Sequence, residues 1–79
     1  MAWYKTGTVS VTNASTTVTG SGTNFVSGAQ VGEAFQGPDG ELYEITAIGS
    51  ATSLTITPAY GGSTASGQSY AIVPTQSLV

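Results

Sequence analysis

Nowhere in this chain do apolar residues recur at helical spacing (i, i+3, i+4, i+7) without a glycine, a proline or a threonine cluster interrupting them. Short alternating runs recur instead, at roughly ten-residue intervals with turn residues between them. That pattern excludes a long helix and predicts six to seven short strands. Thr8-Val9-Ser10-Val11-Thr12 puts Val9 and Val11 on one face, Asn13-Ala14-Ser15 supplies a turn, and Thr16-Thr17-Val18-Thr19 returns as the second arm of a hairpin. Gly20 to Asn24 is a loop by composition and leads into Phe25-Val26, the first large apolar pair able to plug one end of a core.

The strongest local signal is Gly37-Pro38-Asp39-Gly40, in which proline presets φ and Asp-Gly accepts a left-handed residue. It joins a strand around 33–36 to a longer one, 41–48, with Tyr43, Ile45 and Ala47 on one face and Leu42, Glu44, Thr46 and Ile48 on the other. Both faces are partly apolar, which predicts a central strand. Residues 49–52 form the next turn, and Leu54 and Ile56 point inward from 53–57, which Pro58 ends. A loop over 61–67 and a last strand over 68–73, closed by Pro74, complete the reading. The expected fold is all-β, a small antiparallel β-sandwich or partly open β-barrel. It is one domain over 1–79, divided into an N-terminal contact arm (1–6), a β core (7–74) and a tail (75–79).

A domain this short buries only about 60% of the surface its unfolded chain exposes, so the core is thin. No cysteine is present to form a disulfide, and without histidine or cysteine the usual nitrogen and sulfur ligands for zinc or copper are missing. Assembly with copies of itself or with a partner is the remaining stabiliser. The exterior is built from hydroxyls, 13 Thr and 10 Ser, which suit a half-wet pleated surface. Low charge with high β-propensity also favours edge-to-edge association unless the edges are covered.

Lys5 is the single cation against Glu33, Asp39, Glu41 and Glu44. Neutralising phosphates needs several Lys or Arg on one face, so neither nucleic acid nor an anionic membrane surface is an expected partner. There is no run of about 18 apolar residues and no apolar leader, and the chain reads as soluble and made in the cytoplasm.

Few residues invite chemistry. Glu41 and Glu44 are the pair for glycoside hydrolysis, which needs two carboxyls about 5 to 10 Å apart, but three residues apart in a strand they point to opposite faces. Serines abound, yet no histidine can serve as base and Lys5 is far away in sequence, so no catalytic residue is assigned. Asp39 with Glu41 offers too few oxygens for calcium, Gly20-Ser21-Gly22 lacks the Lys-Ser/Thr pair of a phosphate loop, and Asn13-Ala14-Ser15 reads as a turn before it reads as a glycosylation acceptor. No cofactor or metal is expected. The aromatics are the candidates for contact. Trp3 and Tyr4 precede the first strand and suit an interface, while Tyr60 beside Gly61-Gly62 and Tyr70 in the last strand suit packing or stacking on a sugar. Leu78, exposed in the tail with Val79, is the fifth candidate.

The runs Trp3 to Asn13, Thr16 to Thr23 and Gly37 to Ile45, followed by Pro58-Ala59-Tyr60 and Ser66 to Ile72, resemble a module of virion proteins of tailed bacteriophages over nearly the whole chain. The resemblance implies the N-terminal, particle-attaching part of a tail fibre, commonly in three copies. In the family a longer, often Ala-rich fibre segment follows residues equivalent to 72–76, whereas this sequence stops at Val79.

The expected function is therefore a non-enzymatic virion structural protein, a homotrimer made in the host cytoplasm and located in the virion. Its partners are tail or baseplate proteins or, for a head decoration protein clamping the capsid, the major capsid protein. A carbohydrate-binding module that contacts host glycan through Tyr60, Tyr70 or Trp3 is the third expectation.

Overall fold

Alternation becomes a ladder wherever a turn can reverse the chain. In the computed structural model, which describes residues 3–74, β1 (Thr8–Val11) pairs antiparallel with β2 (Thr17–Ser21), Val11 opposite Val18. The reversal at 12–16 places Ala14 at φ 66°, and the Ser15 amide donates to the Thr12 carbonyl at 3.0 Å. A single helical turn, α1 (Phe25–Gly28), follows and buries Phe25 while leaving Val26 exposed. β3 (Ala34–Gln36) and β4 (Leu42–Ser50) form the expected hairpin about Gly37–Gly40, with the Gly40 amide donating to the Gly37 carbonyl at 2.9 Å. β5 (Ser53–Thr57) then bridges the two hairpins, pairing with both β2 and β4.

All seven strands belong to one sheet, in the order β6-β1-β2-β5-β4-β3-β7. The sheet curls into a half-barrel, so the open-barrel form of the expectation holds and the sandwich does not. β6 (Ala65–Gln68) and β7 (Ala71–Val73) are the two outermost strands, and only Ser69 and Tyr70 separate them in sequence. A two-residue link between opposite edges is feasible only if the sheet is bent until its edges approach. A second crossing runs the other way. Tyr4 pairs with Ile72 of β7, its amide donating to the Ile72 carbonyl at 3.3 Å and its carbonyl accepting the Ile72 amide at 2.8 Å; four residues later the chain enters β1, the neighbour of β6. The seam is thus strapped twice. Part of the expected contact arm is tied to the body.

Three expectations are corrected. The loop at 61–67 and the strand at 68–73 are redivided, because Gly67 at φ 64° ends the extended run near Gln68 and Ser69 and Tyr70 lie outside the ladder before β7. β2 extends to Ser21, taking two residues from the loop expected at 20–24. In β4 the ladder register shifts between Ile45 and Ala47 and again between Ile48 and Ser50. A bulge flips the sides that follow it, so Ala47 is exposed and Ile48 packs against the core.

The concave face holds the core in two parts. Val9, Val11, Val18, Leu54, Ile56 and Ile45 fill one half, each no more than 1% exposed. Phe25, Phe35, Tyr43, Tyr60, Tyr70 and Ile72 fill the other, with Tyr4 packed against them. Full burial of such side chains contributes about 1.5–3 kcal/mol each.

Candidate functional site

At the mouth of the half-barrel the 37–40 turn faces the segment that leads into β6. Between them lies a pocket of about 400 Å³ lined by Pro38, Asp39, Tyr60, Gly62, Ser63 and Gln68, among others. That volume falls at the low end of ligand sites, about 300–1,000 Å³. The Asp39 carboxylate is oriented by neutral donors: its Oδ1 accepts the Glu41 amide at 3.1 Å and its Oδ2 the Tyr43 hydroxyl at 2.7 Å. The Tyr43 oxygen in turn accepts the Gly61 amide at 2.9 Å. Beneath, Tyr43 and Tyr60 pack with ring centroids 5.6 Å apart.

The opposite wall is fixed by the first hairpin. The Asn13 side-chain amide donates to the Gly62 carbonyl at 2.9 Å, the Asn13 backbone amide donates to the Thr64 hydroxyl at 3.0 Å, and the Tyr60 backbone exchanges hydrogen bonds with Ala14 and Ser15. Burial pushes the Tyr43 and Tyr60 phenols up from their ordinary pKa, and the Asp39 charge pushes in the same direction. Both are therefore neutral at physiological pH.

Tyr70 occupies the seam. Its ring stacks on Phe35 at 5.9 Å, meets Phe25 edge-on at 5.8 Å and lies 6.5 Å from Tyr4, while its hydroxyl donates to the Thr6 carbonyl at 2.6 Å. Burial raises its pKa as well. The Tyr4 hydroxyl accepts the Asn24 amide at 2.8 Å, and its ring lies where a side chain on Gly28 would sit.

The convex face shows what the pattern of β4, β3 and β7 leaves outside. Leu42, Gln36 and Ala71 form one cross-strand row and Glu44, Ala34 and Val73 the next. Trp3 and Lys5 flank Tyr4 on the face opposite its core-packed ring. Ala34 and Ala71 form a low floor, 7% and 4% exposed, while Leu42 at 57% and Trp3 at 46% stand proud of it. The Lys5 ammonium lies 5.9 Å from the centre of the Trp3 ring.

Of the aromatic candidates, the structure leaves Trp3 at the surface and places Tyr60 and Tyr70 in the chain's own core, 3% and 5% exposed. Tyr70 is enclosed by Phe25, Phe35 and Tyr4 and offers no ring face to a sugar, whereas the largely buried Tyr60 helps to line the pocket. Tyr4 is half-buried as a staple of the seam, and Leu78 lies outside the described residues. Glu41 and Glu44 are both exposed.

Sequence reasoning missed Leu42 as a surface feature and missed the pocket residues Pro38, Ser63 and Gln68. Leu42 carried a signal, an apolar residue in register with Glu44. No local signal marks Ser63 or Gln68, which reach the pocket only through the turn at the seam. No protein-family model, curated protein or solved structure matches the chain.

Proposed function

We propose that the chain is a non-enzymatic structural module of a tailed-bacteriophage virion, the particle-attaching domain of a tail fibre, working through protein–protein contacts. The observation that carries this reading is the convex face of β4, β3 and β7, where exposed Leu42 and Trp3 stand over an alanine floor with Lys5, Gln36 and Glu44 around it. An apolar centre with a polar rim is the anatomy of a contact surface. The resemblance of residues 3–13, 37–45 and 66–72 to phage virion modules supports the particle as the setting. The chemistry available supports contact over catalysis, since the pocket's one carboxylate is held by Tyr43 and Glu41 beside neutral phenols.

Co-sedimentation of the purified chain with isolated phage tails tests the reading. Binding that is lost on Leu42→Asp and Trp3→Ala is the expected result. A chain that stays in the supernatant with tails and baseplates overturns it, and binding to tail-free heads alone replaces the fibre with the decoration role.

A further inference from the structure

The contact reading leaves open what the pocket at the mouth receives. Asp39 brings a full negative charge to it, and both partners of that carboxylate, the Tyr43 hydroxyl and the Glu41 amide, are uncharged. Gln68 donates its side-chain amide to the Ser66 carbonyl at 2.9 Å, leaving its side-chain oxygen as a second acceptor. With the Ser63 hydroxyl these make an acceptor-rich recess against the Pro38 ring. Such a site fits a cationic side chain carrying several N–H donors.

The sequence holds one such side chain, Lys5. It is exposed and lies over the equally exposed Trp3, a cation–π pair that limits the freedom of both and presents them as one unit. Trp is among the residues most often found at the energetic centre of interfaces.

We infer that the pocket of one copy takes the Trp3–Lys5 unit of a second copy, the Lys5 ammonium meeting Asp39 and Gln68 and the Trp3 ring lying on Pro38. The inference rests on the contact-module reading and names the first partner as the chain itself. The two surfaces are different, so the contact is head-to-tail, and repetition closes a ring if the rotation allows. An ion pair at a partly open pocket is screened by salt, so association weakens as ionic strength rises.

Complementary disruption tests this. Lys5→Glu spoils the arm and leaves the pocket intact; Gln68→Arg fills the pocket with a resident cation and leaves the arm and the Asp39 hydrogen bonds intact. Circular dichroism verifies that both variants keep the strand signature. In sedimentation velocity the wild-type chain is expected to associate, at least tenfold more weakly in 500 mM than in 50 mM salt, and each variant alone to be monomeric. An equimolar mixture of the two is expected to form dimers and nothing larger, because one intact arm meets one intact pocket and the remaining surfaces are both spoiled.

A wild-type chain that is monomeric at 100 µM overturns the inference, as does a variant that associates like wild type or a mixture that stays monomeric. Tail binding by a monomeric wild type would leave the proposed function standing while removing the self-contact. If Gln68→Arg also abolishes that binding, the pocket takes a basic side chain of a virion protein instead.

Discussion

The two halves of the core are built on different plans. Across β1, β2, β5 and the middle of β4 the interior is aliphatic, and ladders of three to five paired positions carry it: Val11 faces Val18, Val18 faces Leu54, and Ile45 faces Ile56. Across β3, β7 and the seam the strands are three residues long, and the interior is a chain of rings whose hydroxyls reach backbone, Tyr70 to Thr6, Tyr4 to Asn24 and Tyr43 to Gly61. A strand pair that short has few hydrogen bonds of its own. The aromatic half adds large buried area per residue and a polar handle that ties each ring to a neighbouring segment. The difference teaches that shape complementarity holds the first half, while the second depends also on directed hydrogen bonds.

The largest expected effect comes from truncating one residue in each half. Tyr70→Ala should cost about 3–5 kcal/mol and Leu54→Ala about 2–5 kcal/mol. Total stability for a domain of this size is roughly 4–12 kcal/mol, so both should lower the urea midpoint steeply or unfold the chain. The comparison sharpens with near-isosteric changes. Tyr70→Phe leaves the Thr6 carbonyl without its donor and should cost about 1–3 kcal/mol, whereas Ile56→Leu, which changes shape alone, should cost less than about 1.5 kcal/mol. A silent Tyr70→Phe would break the claim that hydroxyls anchor the aromatic half.

Alkali separates the halves next. Tyr43, Tyr60 and Tyr70 have pKa values raised by burial in the folded state, so the fold favours the protonated phenol. Their contribution is complete below the unfolded value of about 10 and is lost as pH rises through the folded values. The urea midpoint should therefore fall between pH 9 and pH 11, and Tyr70→Phe should flatten that fall. The aliphatic half offers nothing to titrate. A midpoint unchanged up to pH 11 would remove this distinction.

The smallest effect lies on the convex face, well below that of a strained turn glycine. Gly7, at φ 78°, sits so close to the backbone of Ser21 and Gly22 that a methyl group cannot be accommodated, so Gly7→Ala should destabilise by about 1–3 kcal/mol. Leu42→Thr, on the exposed surface of β4, should change stability by no more than about 0.5 kcal/mol while weakening tail binding. A large stability loss there would mean that the residue serves the fold.

The same division explains what could be read from the residues alone. In the aliphatic half the inward positions follow from period-two alternation, and Val9, Val11, Val18, Leu54 and Ile56 all lie buried. The Gly37–Gly40 reversal is equally legible because proline and Asp-Gly restrict φ locally. The seam was not legible. Whether Gln68 to Val73 forms one strand or two depends on where the curl brings β1 and β3, a property of the whole sheet. Tyr4 and Tyr70 were recognisable as important, but their role as fasteners depends on Thr6, Asn24 and Gly28, which no spacing rule links to them. The pocket assembles from two distant turns for the same reason.

The antiparallel bridge between Tyr4 and Ile72 sets segments near the two ends of the described chain side by side, about 5 Å apart across one strand spacing, so that the polypeptide enters and leaves at the same end of the body. A body with such adjacent entry and exit can be grafted into a surface turn of a larger carrier without prising that turn open. Transplantability is thus a property of the seam, independent of what the convex face touches.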